Sequence, residues 1–205
     1  MKKLLSLLLP LALTLSLTAC GGAASTSDDG ASSTASEAAA TSDTDSSSHI
    51  LVAYFSATGN TEAVAERLAS GLDADLFSII PADPYSEEDL DYNDDNSRSS
   101  QEMNDPSARP AISWTLDNMD QYDIIFLGYP IWWGDAPRIM STFMESYDFS
   151  GKTIIPFCTS ASSGISQSIA TLQALAEDAG WRDGQRFDAD TDEAELMEWV
   201  DSLNL

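Results

Sequence analysis

The chain is poor in the residues that most often carry catalysis. It holds one histidine, His49, and two cysteines, Cys20 and Cys158, in 205 residues. A Ser–His or Cys–His pair therefore has little to draw on, and no G-x-S-x-G elbow occurs. A zinc centre needs a His/Cys cluster that these three residues do not make. Basic residues are scarce too: nine Lys and Arg stand against 34 Asp and Glu, a formal net charge of −25. Such a chain repels nucleic acid and anionic surfaces, so no nucleic-acid partner is expected. The G-x-x-x-x-G-K-[ST] loop is missing, which argues against a magnesium-nucleotide site. Asp188, Asp190 and Asp192 start like a calcium loop. Glu193 stands where glycine is needed, however, and Trp199 where the bidentate glutamate belongs, so the segment reads as a solvated acidic turn.

What is present begins with an export signal over residues 1–19. Lys2 and Lys3 are its positive end. Residues 4–17 are apolar except for Ser6, Pro10, Thr14 and Ser16, too short and interrupted a run for a membrane span. It ends in Leu17-Thr18-Ala19-Cys20, which resembles the lipobox cleaved before a lipidated cysteine. That resemblance implies Cys20 as the lipid attachment site and a protein anchored to the cell membrane on its extracytoplasmic face. Residues 20–48 follow as a tether. After Cys20 they include only Gly, Ala, Ser, Thr, Asp and Glu, which cannot offset the entropy of folding. As a flexible coil the ends would stand roughly 30 Å apart. Without Lys2 and Lys3 the chain carries 7 basic and 34 acidic residues, a net charge of −27.

Residues 49–205 form one domain of ordinary size. With Cys20 acylated, Cys158 has no intramolecular disulfide partner. It reads as a buried or half-buried thiol at a strand end. Strand and helix patterns alternate, as in an α/β fold with a parallel sheet. A first strand starts at Ile50. It breaks at Ser56-Ala57-Thr58-Gly59-Asn60-Thr61 and gives way to a helix with Val64, Leu68 and Leu72 on one stripe. Further strands are expected at 75–80, 123–128, 152–158 and 185–188. Helices are expected at 136–147, 165–178 and 191–203, the last carrying Leu196, Trp199, Val200 and Leu203. A long insert, 82–110, lies between the second strand and an expected second helix. It has nine acidic residues and one basic residue, Arg98, over 82–105. Its only helical hint is 97–103, and it is read as a partly ordered flap over the ligand face.

The turn at 56–61 sits where free N–H groups and the helix dipole favour an anion. Its donors are neutral, as suits a phosphate monoester. These residues resemble the flavodoxin phosphate loop, [ST]-x-T-G-x-T, directly after the first strand. Two later segments extend the resemblance. Gly128-Tyr129-Pro130-Ile131-Trp132-Trp133-Gly134-Asp135 looks like the first isoalloxazine loop, where W-G-D follows a strand. Thr159-Ser160-Ala161-Ser162-Ser163-Gly164 matches the second flavin loop in position. The tyrosine that many small flavodoxins place over the outer ring face is missing from it.

The resemblance implies a doubly wound, five-stranded flavodoxin-like sheet of order 2-1-3-4-5 and FMN as cofactor. It implies cofactor contacts at Ser56, Ala57, Thr58, Gly59, Asn60 and Thr61, at Tyr129, Pro130, Ile131, Trp132, Trp133 and Gly134, and at Thr159, Ser160, Ala161, Ser163 and Gly164. Counting from Gly128 makes Trp132 the stacking residue, and counting back from Gly134-Asp135 makes it Trp133; the first count is preferred. Asp29-Gly30-Ala31-Ser32 faintly resembles an acceptor for covalent FMN, but lacks the hydroxyl residue before the glycine.

The function expected is that of an FMN-binding redox protein. It would transfer electrons at the outer face of the cytoplasmic membrane to a redox partner protein or a small donor or acceptor. The alternatives are an NAD(P)H- or quinone-linked flavin oxidoreductase and a flavin-binding module without redox partner. Because the cradle is neutral and the domain acidic, the flavin is expected to be harder to reduce fully when bound than when free.

Overall fold

The computed structural model describes residues 49–205. The expected signal peptide, Cys20, the tether and Asp29-Gly30-Ala31-Ser32 lie outside the described residues.

β1 (Ile50–Tyr54) runs into α1 (Asn60–Leu72) and β2 (Asp75–Ser78). β3 (Ile124–Pro130), α3 (Arg138–Ser146), β4 (Thr153–Thr159) and α4 (Ser166–Gln173) continue the alternation. β5 (Gly180–Trp181), β6 (Gln185–Phe187) and α5 (Glu193–Ser202) complete it. The sheet is parallel in the order β2-β1-β3-β4-β5, with β6 also on β4.

Successive strand residues face opposite sides. Leu51, Ala53, Ile125, Leu127 and Tyr129 pack with Ile139, Met140 and Phe143 of α3 and Leu172 of α4. Val52, Tyr54 and Phe126 pack with Val64, Ala65 and Leu68 of α1 and Leu196 of α5. The helices thus cover both faces, as a sheet of continuous apolar strands requires. In the centre Gly128 pairs with Phe157, and a Cβ on it would come within 2.3 Å of that ring. A side chain there would collide with that buried ring.

The expected fifth strand is half of what forms. β5 runs beside Thr153 and Ile154, and β6 beside 157–159, so two short pieces share one position. The expected helix 165–178 accordingly ends at Gln173. The Trp181 indole N–H donates to the Ala176 carbonyl at 3.0 Å, and Gly180 N–H to Lys152 O at 2.8 Å. These bonds turn the chain back toward the sheet.

The expected second helix beyond the insert does not form. α2 (Arg98–Asn104) forms within the insert, after a 3₁₀ turn at Glu88–Leu90. Beyond Pro110 the chain is extended instead: Ala82 N–H bonds Ala111 O, Ser113 N–H bonds Ile80 O, and Pro81 bridges Ile112 antiparallel. A second 3₁₀ turn, Met119–Gln121, then leads into β3.

The insert is ordered by bonds at several points. Arg98 Nε meets Glu102 at 2.7 Å, and its guanidinium lies 4.1 Å over the Tyr85 ring. Arg109 grips Glu145 of α3 through two bonds, 2.7 and 2.8 Å. Arg138 donates to Met103 O at 3.1 Å and Thr142 Oγ1 to Pro110 O at 2.9 Å. Among the described residues no helix is long and apolar enough to cross a membrane.

Candidate cofactor site

Three loops leave the carboxyl ends of β1, β3 and β4, where open α/β sheets bind ligands. The first starts at Phe55. Gly59 caps α1 with φ +84°, a left-handed backbone that glycine adopts without steric cost. Ser56 Oγ accepts from Gly59 N–H at 3.1 Å, and Asn60 Nδ2 donates to Thr58 Oγ1 at 3.3 Å. The first helical bond runs from Ala63 N–H to Gly59 O. The amides of Asn60, Thr61 and Glu62 precede it, so by helix geometry they face the turn. Thr61 Oγ1 lies 2.8 Å from Thr159 Oγ1 and joins this loop to the end of β4.

The second loop is a tight turn. Trp132 N–H bonds Asp135 O and Asp135 N–H bonds Trp132 O, both at 2.9 Å. Trp133 and Gly134 between them have φ +49° and +81°, as in a type I′ turn. A left-handed backbone is unusual for so bulky a residue. The turn displays Trp133, which is 49% exposed. Trp132 instead is partly buried and meets Phe55 and Tyr85 edge-on, with centroids 5.5 and 5.3 Å away. Asp135 fixes the base of the turn: Ala136 N–H at 2.8 Å, Thr171 Oγ1 at 3.0 Å and Arg138 at 3.4 Å all donate to its carboxylate.

The third loop folds on itself, with the Ser162 and Ser163 amides donating to Ser160 Oγ at 3.3 and 2.9 Å. Arg186 donates to the Ser160 carbonyl from behind and to Asp188 at 3.1 Å.

These loops enclose a cavity of about 740 Å³. Of the residues expected at the site, Ser56, Ala57, Thr58, Asn60, Thr61, Pro130, Ile131, Trp132, Trp133, Thr159, Ser160 and Ala161 line it. Gly59, Gly134, Ser163 and Gly164 stand in the same loops but outside the lining. Tyr129 points away: it is fully buried in the α3–α4 layer, with its hydroxyl 3.2 Å from Ser168 Oγ. Burial there holds its phenol above the usual tyrosine range.

Six lining residues are additional to that set. Leu90, Tyr92 and Ser99 come from the insert, and Phe187, Asp188 and Ala189 from the end of β6. The Ser-Ala-Thr and Trp-Trp loops carry sequence patterns, whereas these six follow no period or motif. Asp188 is the one charged residue of the lining, and neither Lys, Arg nor His belongs to it.

The set of partners is therefore backbone amides, hydroxyls, an amide side chain and aromatic faces. It suits a phosphate monoester at one end and a flat ring at the other. Among the described residues no group of His, Cys, Asp and Glu is arranged to hold a metal ion.

Residues 49–203 match the family model described as Flavodoxin, and the chain belongs to that family. It is similar to a protein from Bacteroides eggerthii provisionally described as a flavoprotein, with 47% identity and a TM-score of 0.74 over 77% of this chain and 99% of that one. A second such protein, from Bacteroides uniformis, shows 44% identity and a TM-score of 0.72 over 75% and 98% of the two chains. A flavoprotein in complex with FMN from Lactobacillus acidophilus shares the fold at 22% identity, with a TM-score of 0.59 over 75% and 99%. No curated protein matches the chain.

Proposed function

We propose that the protein binds FMN and passes electrons between redox partners at the outer face of the cytoplasmic membrane. The observation that carries this reading is the cavity itself: all three loops meet in it, a neutral donor set at one end and two tryptophans at the other.

The amides of Asn60, Thr61 and Glu62, with the hydroxyls of Thr58 and Thr61, hold the phosphate. Trp133 covers one face of the ring. The turn geometry thus favours the count back from Gly134-Asp135, and leaves Trp132 as a wall residue clamped between Phe55 and Tyr85. Pro130 and Ile131 continue that wall, and Thr159, Ser160 and Ala161 bring small residues and backbone close to the ring. When bound, FMN supplies one- and two-electron transfer. The chain contributes position and field: the Asp188 carboxylate, paired with Arg186 at 3.1 Å, is the one charged group of the lining and opposes added negative charge.

The membrane location rests on Lys2, Lys3, the apolar run 4–17 and Leu17-Thr18-Ala19-Cys20. Lipid on Cys20 holds the domain at the surface, and residues 20–48 give it reach toward a partner. The acidity of the chain favours a partner with a positive face.

The test is the visible spectrum and turnover of the purified protein. A bound flavin spectrum with no steady-state turnover of NAD(P)H and quinone is expected. A colourless protein that takes up no flavin overturns the reading, and rapid turnover assigns an oxidoreductase instead. For the anchor, Cys20→Ser should abolish labelling by a palmitate analogue and release the protein from membranes; unchanged labelling overturns it.

A further inference from the structure

The insert supplies a buried hydroxyl that its own fold leaves unused. Ser99, in the first turn of α2, is 1% exposed, and its Oγ has no hydrogen-bond partner. A helical serine can bond the carbonyl one turn back, and this one does not. Its neighbours differ: Ser97 Oγ accepts from Ser100 N–H at 3.3 Å and donates to Ser100 Oγ at 2.9 Å. A buried, unpaired hydroxyl disfavours the fold unless something else pairs with it. Ser99 also lines the cavity, in the company of Leu90 and Tyr92 from the same insert.

The position selects an end of the cavity. Arg98, the residue before Ser99, lies over Tyr85, and Tyr85 packs on Trp132. α2 is thereby tied to the aromatic wall, while the phosphate cradle at 56–61 belongs to β1 and α1. A rotation about one side-chain bond is enough to turn a serine hydroxyl between neighbouring staggered positions. The isoalloxazine ring carries both N–H and carbonyl groups on its edge, and a hydroxyl can serve either.

We infer that Ser99 is a flavin-binding residue: its hydroxyl pairs with the polar edge of the ring, making the insert a fourth cofactor loop. The inference rests on the FMN reading above. It assigns the insert a binding role distinct from the phosphate cradle.

The experiment compares wild type and Ser99→Ala as full chains, titrated in the apo form with FMN and with riboflavin. The thermal midpoint of each apo protein is measured alongside. Loss of one hydrogen bond at the ring should weaken both flavins by the same factor, about three- to tenfold. The apo midpoint should stay or rise, because alanine favours the helix and removes an unpaired group. Unchanged affinities overturn the inference. So does a loss confined to FMN, which would put the residue at the phosphate, or a fall in the apo midpoint, which would make its role structural. A wild type that binds neither flavin overturns the FMN reading, and this inference with it.

Discussion

The Tyr85 ring meets the Trp132 indole edge-on, 5.3 Å between centroids and 83° between planes. This contact joins the insert to the second loop, and the Tyr85 hydroxyl continues it by donating to Glu102 of α2. Tyr85→Ala should loosen the insert and cost on the order of 2 kcal/mol, from lost burial and the aromatic pair together. Tyr85→Phe, which keeps the ring, should cost about 1 kcal/mol. Urea midpoints check both; equal losses would mean that the ring contact contributes nothing.

Trp133 and Trp132 should behave differently in flavin emission. Trp133→Ala should restore fluorescence to the bound flavin and weaken binding by about tenfold, in line with 1–3 kcal/mol for stacking on an aromatic. Trp132→Ala should leave the quenching in place. Emission recovered only in the Trp132 variant would return the stacking role to that residue.

Much of this was legible in the sequence. The apolar start at Ile50, the hydroxyl-rich break and the Val64–Leu68 stripe together point to strand, turn and helix, and that unit supplies the 56–61 loop that lines the cavity. The choice between the two tryptophans stays open in the sequence: counting from Gly128 gives Trp132 and counting back from Gly134-Asp135 gives Trp133, and the left-handed backbone at Trp133 that separates their settings is not a matter of residue counting. Ser99, Tyr92 and Asp188 were hidden for another reason. They reach the cavity through tertiary contacts such as Tyr85–Trp132 and Arg186–Ser160, in segments without periodicity. The split of the fifth strand was hidden likewise, since Ala174 to Ala179 favour a helix by propensity and the Trp181 bond overrides them.

The field at the site narrows to Asp188. The insert residues that line the cavity, Leu90, Tyr92 and Ser99, are uncharged. Asp188→Asn should therefore make full, two-electron reduction of the flavin easier by about 5–20 mV, the equivalent of 0.2–1 kcal/mol for an exposed charge. Arg186→Ala should act in the opposite direction by unpairing Asp188. Raised salt should shrink both shifts. Potentiometric titration reads them, and indifference to Asp188 would remove the electrostatic account.

Cys158 contributes to the alkaline limb of stability, beside buried tyrosines such as Tyr129. Burial pushes its thiol up to about 12, against an ordinary value of 9.0. With the folded value raised, its contribution is whole below pH 9 and is lost as pH rises from 9 toward 12. Urea midpoints should fall between pH 8 and pH 10.5, and fall less steeply in Cys158→Ala. Equal slopes in the two proteins would contradict the assignment.

The most direct test of the central claim is the affinity of the apo protein for FMN set against riboflavin, in wild type and in Thr58→Ala. The account predicts one FMN per chain, bound more tightly than riboflavin. Thr58→Ala should weaken FMN by about tenfold or more, the worth of a hydrogen bond to a charged group, and leave riboflavin nearly unchanged. Thr58 is the cleaner position, because Thr61→Ala would unpair the buried Thr159 hydroxyl, whereas Thr58→Ala releases only the exposed Asn60 side-chain amide. Equal affinity for the two flavins in wild type, or equal losses in the variant, would contradict a phosphate cradle at Ser56-Ala57-Thr58-Gly59-Asn60-Thr61.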